Sequence, residues 1–149
     1  MRTLVLGVGN LLLGDEGVGV HAARALACRT GLSPQTQIVE AGTAFLDFLP
    51  EIETAERIII VDAMEAGGTP GSVYRMPFDD CKHPQMLASL HGFDLSRVLF
   101  LAGNQHNPEV IVFGVEPASI NWGMELSPAL ARTMPLLEKA IVDAVRDVD

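Results

Sequence analysis

The chain has 149 residues, which predicts a single domain spanning residues 1–149. Hydrophobic residues make up 48% of it and charged residues 19%, and this balance excludes intrinsic disorder. The formal net charge of −9 argues against nucleic acid or an anionic membrane as a partner. The apolar runs are too short to span a bilayer, and two cysteines make no disulfide framework. We therefore expect a soluble, cytoplasmic protein without membrane insertion.

Short apolar segments alternate with helical patterns along the chain. The predicted strands are Thr3–Gly7, Gln37–Ala41, Arg57–Ala63, Ser72–Met76 and Glu109–Val115. The predicted helices are 18–29, a short one at 44–49 that Pro50 disturbs, 85–90, 95–103, and 128–148, which begins at Ser127-Pro128. This alternation predicts an α/β fold, a three-layer sandwich with a twisted, mostly parallel five-stranded sheet between helices.

If the strand order begins 2-1-3, the sheet has a switch point beyond the carboxyl ends of its first and third strands. Ligands of open α/β sheets bind at such a point. Two loops lie there in the sequence, residues 10–17 and residues 62–71. We therefore expect the functional residues in these two loops.

The glycine loop after the first strand first suggests a dinucleotide site. Gly7 and Gly9 fit the motif, but the third glycine is replaced by Leu12. Asp15 and Glu16 precede the helix whose amino end would hold the pyrophosphate, and they would repel it. The chain also lacks a Gly-Lys-Ser/Thr sequence, so no nucleotide is expected as a ligand.

The same two carboxylates have a structural and a functional interpretation. Asp15 is placed to cap the helix that starts at Val18, since acidic residues at a helix start interact with its dipole and its unpaired N–H groups. Capping leaves Glu16 without an evident structural role. Spacing alone favours capping and a functional site about equally.

Two further acids end predicted strands. Asp62 follows four aliphatic residues, where a buried carboxylate is costly unless it is paired or ligated. An aspartate that starts a turn is the alternative, but its position at the switch point favours a function. Glu40 lies at the corresponding end of the second strand, where the same argument for a functional carboxylate applies more weakly.

The histidines supply one further candidate ligand. His21 lies in the first helix, and His83 and His106 lie in polar loops; all three are typical of packed or solvated side chains. His91 precedes a glycine, so backbone can come close to it. Together, Glu16, Asp62 and His91 would form an open site for a divalent ion such as zinc or nickel.

A side-chain nucleophile is not indicated. Cys28 lies late in a helix, and Cys81 follows two aspartates, which would raise the pKa of its thiol. The chain also lacks a Gly-x-Ser-x-Gly elbow.

Three segments of the chain resemble the hydrogenase maturation proteases, endopeptidases that trim the carboxyl terminus of the large subunit of [NiFe] hydrogenases. The segments are Gly7-Val8-Gly9-Asn10 with Gly14-Asp15-Glu16-Gly17-Val18-Gly19, Asp62-Ala63 with Gly67 and Pro70-Gly71, and Gly114-Val115-Glu116-Pro117 with Gly123 and Leu126-Ser127-Pro128. The likeness runs in order over essentially the whole chain. One departure is Glu40-Ala41-Gly42-Thr43, where relatives usually show Asp-Gly-Gly-Thr.

The resemblance implies a catalytic, metal-binding trio. By position it falls on Glu16, Asp62 and His91, with His83 as a neighbouring alternative for the third ligand and with Asp15 and Glu40 in auxiliary roles. It further implies that nickel is already held by the partner, the [NiFe] hydrogenase large-subunit precursor, when its C-terminal extension is removed. Zinc or another divalent ion could occupy the free protein. The alternatives are a non-enzymatic nickel-binding chaperone of the same precursor and a nucleotide-binding module.

Overall fold

The computed structural model describes residues 1–81 and 107–147. The helices predicted at 85–90 and 95–103 lie outside the described residues, as do His83, His91 and His106. Within the described part of the chain, no helix has the length and apolar character needed to cross a membrane.

The described residues form one five-stranded sheet. Its strands are β1 (Thr3–Val8), β2 (Thr36–Gly42), β3 (Arg57–Ala63), β4 (Val73–Pro77) and β5 (Glu109–Val115). They lie in the order β2-β1-β3-β5-β4, and only β4 runs antiparallel to its neighbour. The predicted 2-1-3 start of the strand order is confirmed, so the carboxyl ends of β1 and β3 lie side by side.

Within residues 1–81 and 107–147, three α-helices cover the sheet. They are α1 (Val18–Ala27), α2 (Leu49–Thr54) and α3 (Pro128–Arg146). Short 3₁₀ turns span Gly14–Gly17, Phe45–Phe48 and Phe78–Asp80. Ser127 caps α3 as predicted, because its Oγ accepts a hydrogen bond from the N–H of Leu130 at 3.4 Å.

Apolar side chains fill a core on each face of the sheet. Every residue of β1 and of β3 is buried, which explains why these strands are apolar runs without alternation. Successive side chains point to opposite faces, so Ile58 and Ile60 join the core that includes Ile52 of α2. Ile59 and Val61 join the core beneath α1 and α3. The predicted three-layer α/β fold is confirmed.

Pro50 does not disturb the short helix, and that expectation was wrong. Residues 45–48 form a 3₁₀ turn, after which α2 begins with Pro50 in its first turn. The backbone N–H that proline lacks has no partner inside a helix at that position, so the residue is compatible with the helix start.

Two glycines let α1 lie directly on the sheet. A Cβ on Gly19 would overlap the carbonyl oxygens of Val61 and Val8. A Cβ on Gly7 would lie 2.7 Å from the Cβ of Ala23 and would overlap the carbonyl oxygen of Gly19. The start of α1 is therefore held against the carboxyl ends of β1 and β3, where the candidate site was predicted.

Candidate functional site

Glu16 and Asp62 lie on two elements that contact each other. Glu16 belongs to the 3₁₀ turn Gly14–Gly17, which packs against β3. Three residues later, Gly19 touches the carbonyl of Val61, the residue before Asp62. Two of the three predicted ligands are thus placed at the same edge of the sheet, at the carboxyl ends of β1 and β3.

The two carboxylates differ in their burial. Asp62 is fully buried, and its Oδ1 accepts a hydrogen bond of 2.8 Å from the N–H of Ala63. Glu16 is only half-buried. A divalent ion or a water molecule that reaches this edge would therefore meet one carboxylate shielded from solvent and one open to it.

The third predicted ligand cannot be placed. His91 and its alternative His83 lie outside the described residues. Within residues 1–81 and 107–147, no three histidine, cysteine, aspartate or glutamate side chains are grouped as a metal site requires. The trio of Glu16, Asp62 and His91 therefore stays a prediction.

Asp15 does not cap α1, and that prediction was wrong. Asp15 lies inside the 3₁₀ turn that precedes the helix, and the N-cap of the helix is Gly17, which has no side-chain cap. Asp15 is fully buried, and its two oxygens accept hydrogen bonds from the N–H groups of Ala118 at 2.9 Å, Ser119 at 3.0 Å and Ser127 at 2.7 Å. This carboxylate fastens the loop after β5 to the turn that carries Glu16.

Glu40 lies at the end of β2, paired in register with Gly7 of β1. Its Oε1 is 2.5 Å from the Nε of Arg24 on α1, and both side chains are about half exposed. The ion pair links β2 to α1 on the solvent side. An auxiliary role of Glu40 in the reaction stays a prediction.

Glu116 is a third buried carboxylate near the site, and the sequence pattern predicted no role for it. It follows β5, and its Oε1 accepts hydrogen bonds from the N–H groups of Ala66 at 2.9 Å and Gly68 at 2.8 Å and from the hydroxyl of Tyr74 at 2.9 Å. It therefore fixes the loop that leaves Asp62. The available signal was its position: β5 neighbours β3, so an acid just after β5 lies beside the loop after β3.

These hydrogen bonds set the charge of Glu116. Burial acts to raise the pKa of its carboxyl group, but the N–H groups of Gly68 and Ala66 and the Tyr74 hydroxyl together outweigh burial and hold the pKa below its ordinary value. Burial, and after it the same contact with Glu116, raises the pKa of Tyr74. Glu116 is thus an anion and Tyr74 a neutral donor at neutral pH.

The stability of the protein should depend on pH through Glu116. A carboxyl group whose pKa is lower in the folded chain contributes stability above its unfolded pKa, and this contribution is lost as the pH falls through the folded pKa. We expect the free energy of unfolding of Glu116→Gln to lie below that of the wild type at pH 7 by about 1–3 kcal/mol. The difference in the free energy of unfolding between the wild type and Glu116→Gln should become smaller below about pH 4.5. Urea unfolding across this range measures it, and a constant gap from pH 7 to pH 3 would contradict the assignment.

Among the described residues outside this group, Cys81 lacks the features of an activated nucleophile. Burial, and then the charge of Asp80, raise the pKa of the Cys81 thiol, while Cys28 is exposed just after α1. His21 is half-buried with its Nε2 unpartnered, and burial followed by the Arg24 charge lower its pKa. These properties are typical of a packed neutral imidazole at His21 and of a thiol at Cys81 that is not activated as a nucleophile.

Residues 20–144 match the family model of HycI, described as hydrogenase maturation protease. The chain belongs to the hydrogenase maturation protease family. The family is one of enzymes, which favours a protease over the non-enzymatic chaperone and the nucleotide-binding module considered above. The predicted family membership is confirmed.

Individual relatives agree with this membership. The chain is 35% identical to the hydrogenase expression/formation protein HupD of Rhodobacter capsulatus, over 99% of this chain and 71% of that protein. It is 32% identical to the hydrogenase 2 maturation protease of Escherichia coli, over 95% of this chain and 89% of that protein. The solved structure of the hydrogenase maturating endopeptidase HybD from E. coli superposes with a TM-score of 0.84 at 29% identity, over 99% of this chain and 93% of that one. The chain therefore shares its fold with the solved HybD structure and its enzyme class with the two E. coli proteins.

Proposed function

We propose that this maturation protease removes the C-terminal extension of a [NiFe] hydrogenase large-subunit precursor, and that it does so after nickel has been inserted. The observation that carries the proposal is the placement of Glu16 and Asp62 at one edge of the sheet in a chain of this family. In this proposal the nickel belongs to the substrate, and Glu16, Asp62 and His91 recognise it there.

The donor set suits such an ion. Carboxylate oxygens and an imidazole nitrogen are acceptable ligands for nickel and for zinc. Three protein ligands leave coordination positions open, and the precursor's own groups can fill them. Zinc or another divalent ion is therefore an expected occupant of the isolated protein as well.

The residues of the chain have different roles in the proposed reaction. A divalent ion at this edge would polarise the carbonyl of the scissile bond. Asp62, which is shielded from solvent, would hold and orient this ion. The half-buried Glu16 is the carboxylate that a water molecule can reach, and it can accept a proton from that water. Glu116 and Asp15 keep the two surrounding loops fixed, so the reacting groups meet in one geometry.

Metal titration of the purified protein tests the site. We expect Glu16→Gln, Asp62→Asn and His91→Ala each to weaken the binding of Ni²⁺ or Zn²⁺ at least roughly tenfold, since even the loss of an outer partner of a ligand has an effect of that size. The circular dichroism spectrum should not change.

His83→Ala is the matched control for the third ligand, and it should bind metal as the wild type does. If His83→Ala abolishes binding while His91→Ala does not, the assignment of His91 is wrong. If none of the four variants changes the affinity, the site itself is wrong.

A further inference from the structure

The loop after β5 exposes a tryptophan beside the candidate site. Trp122, the only tryptophan in the chain, is 82% exposed, and Met124 is 56% exposed. The N–H of Gly123 donates to the carbonyl oxygen of Leu12 at 2.9 Å, and Leu12 is itself 51% exposed. Large apolar side chains gathered on adjacent segments of a surface are typical of a site of interaction. We call Leu12, Trp122, Met124 and Glu125 the Trp122 surface.

Hydrogen bonds to Gly14 and Asp15 hold the loop of the Trp122 surface in place. The N–H of Gly14 donates to the carbonyl oxygen of Gly123 at 2.8 Å, and Asp15 accepts hydrogen bonds from both ends of the loop. The loop lines a cleft of about 600 Å³ together with Gly14. An exposed tryptophan on a fixed loop loses little conformational entropy on binding, which suits a docking residue.

The Trp122 surface lies close to the candidate site. Leu12 precedes Glu16 by four residues, and four residues span at most roughly 14 Å. A polypeptide bound across the Trp122 surface therefore reaches the edge of the sheet where Glu16 and Asp62 lie.

Charge identifies the occupant. Residues 9–17 and 116–127 include four carboxylates, Asp15, Glu16, Glu116 and Glu125, and no lysine, arginine or histidine. A segment with a lysine or arginine next to apolar side chains would complement the negative potential of these carboxylates. Its cation could lie over the indole ring of Trp122. A second copy of this chain is disfavoured, since a symmetric contact would oppose the exposed Glu125 of one copy to that of the other.

We propose that the Trp122 surface docks a basic and apolar segment of the large-subunit precursor and positions its scissile bond at Glu16 and Asp62. This inference rests on the proposed function. It assigns substrate recognition to a loop that contributes none of the predicted metal ligands.

Processing kinetics with the nickel-loaded precursor test the inference. Trp122→Ala should raise KM roughly 10- to 100-fold, as expected for an aromatic anchor, and should leave kcat within about twofold. Trp122→Phe should retain most of the affinity for the precursor. Glu125→Lys should raise KM and should make KM less dependent on the salt concentration. Leu136→Ala is the matched control, because Leu136 is 62% exposed in the middle of α3.

Fluorine NMR gives a second readout that does not depend on cleavage. Protein labelled with 5-fluorotryptophan has one ¹⁹F resonance, which should shift when unlabelled precursor is added. An unchanged KM for Trp122→Ala in an enzyme that trims the precursor would overturn this inference alone. So would a wild-type dimer that Trp122→Ala converts to a monomer. A wild type that neither binds nor trims the precursor would overturn the proposed function together with this inference.

Discussion

Replacing Asp15 by alanine should lower the free energy of unfolding by about 3–5 kcal/mol. The side chain is fully buried and accepts hydrogen bonds from three backbone N–H groups, those of Ala118, Ser119 and Ser127. Hydrogen bonds to a charged group contribute about 1.5–3 kcal/mol each, more than neutral ones, and the three made by Asp15 are partly buried. Urea unfolding followed by circular dichroism measures the change.

Glu125→Ala is the control for the loss of a carboxylate in the same region. Glu125 is exposed on the loop that Asp15 anchors, so its replacement should change the free energy of unfolding by no more than about 0.5 kcal/mol. Equal effects of Asp15→Ala and Glu125→Ala would show that Asp15 does not anchor the loop.

Replacing Gly19 by alanine should destabilise the protein by about 3 kcal/mol or more. In an unconstrained helix the same change stabilises by about 1 kcal/mol, because glycine is the poorer helix former. Here the new methyl group would overlap the carbonyl oxygens of Val61 and Val8, which belong to the two central parallel strands. Those oxygens are fixed by the sheet, so α1 and the turn carrying Glu16 would have to move away. Thermal and urea unfolding measure the loss.

Gly31→Ala separates steric overlap from the general effect of a glycine replacement. A Cβ at Gly31 finds its nearest neighbour 3.8 Å away, and its φ of +86° adds only the strain of a left-handed backbone. We expect Gly31→Ala to lower the free energy of unfolding by about 1–2 kcal/mol. A Gly19→Ala variant as stable as the wild type would contradict the close contact of α1 with the sheet.

Two strands were predictable to the residue because they are largely buried, Arg57–Ala63 completely and Glu109–Val115 from Ile111 onward. Arg57–Ala63 and Glu109–Val115 are apolar runs bounded by turn residues, and the structure gives these strands the predicted bounds. The short helix near Pro50 was harder, because a 3₁₀ turn and the first turn of an α-helix have the same composition. Local pattern could not distinguish them.

The candidate site was predictable in part. Asp62 was found because it ends a buried strand at the switch point, and Glu16 because its turn borders the same edge. The hydrogen-bond partners of Asp15 and Glu116 were not predictable, since they lie about 100 and 50 residues away in sequence. Which distant N–H group a carboxylate meets depends on how the loops fold back, and no spacing in the sequence records this.

Mass analysis of the precursor's carboxyl terminus tests the central claim most directly. Nickel-loaded precursor, nickel-free precursor and the isolated tail peptide are given to the enzyme under identical metal buffering. The proposed recognition of nickel by Glu16, Asp62 and His91 predicts that the nickel-loaded precursor alone is shortened, and that Asp62→Asn leaves it intact. Equal cleavage of all three substrates would contradict recognition of nickel in the substrate and would indicate a peptidase that reads sequence alone.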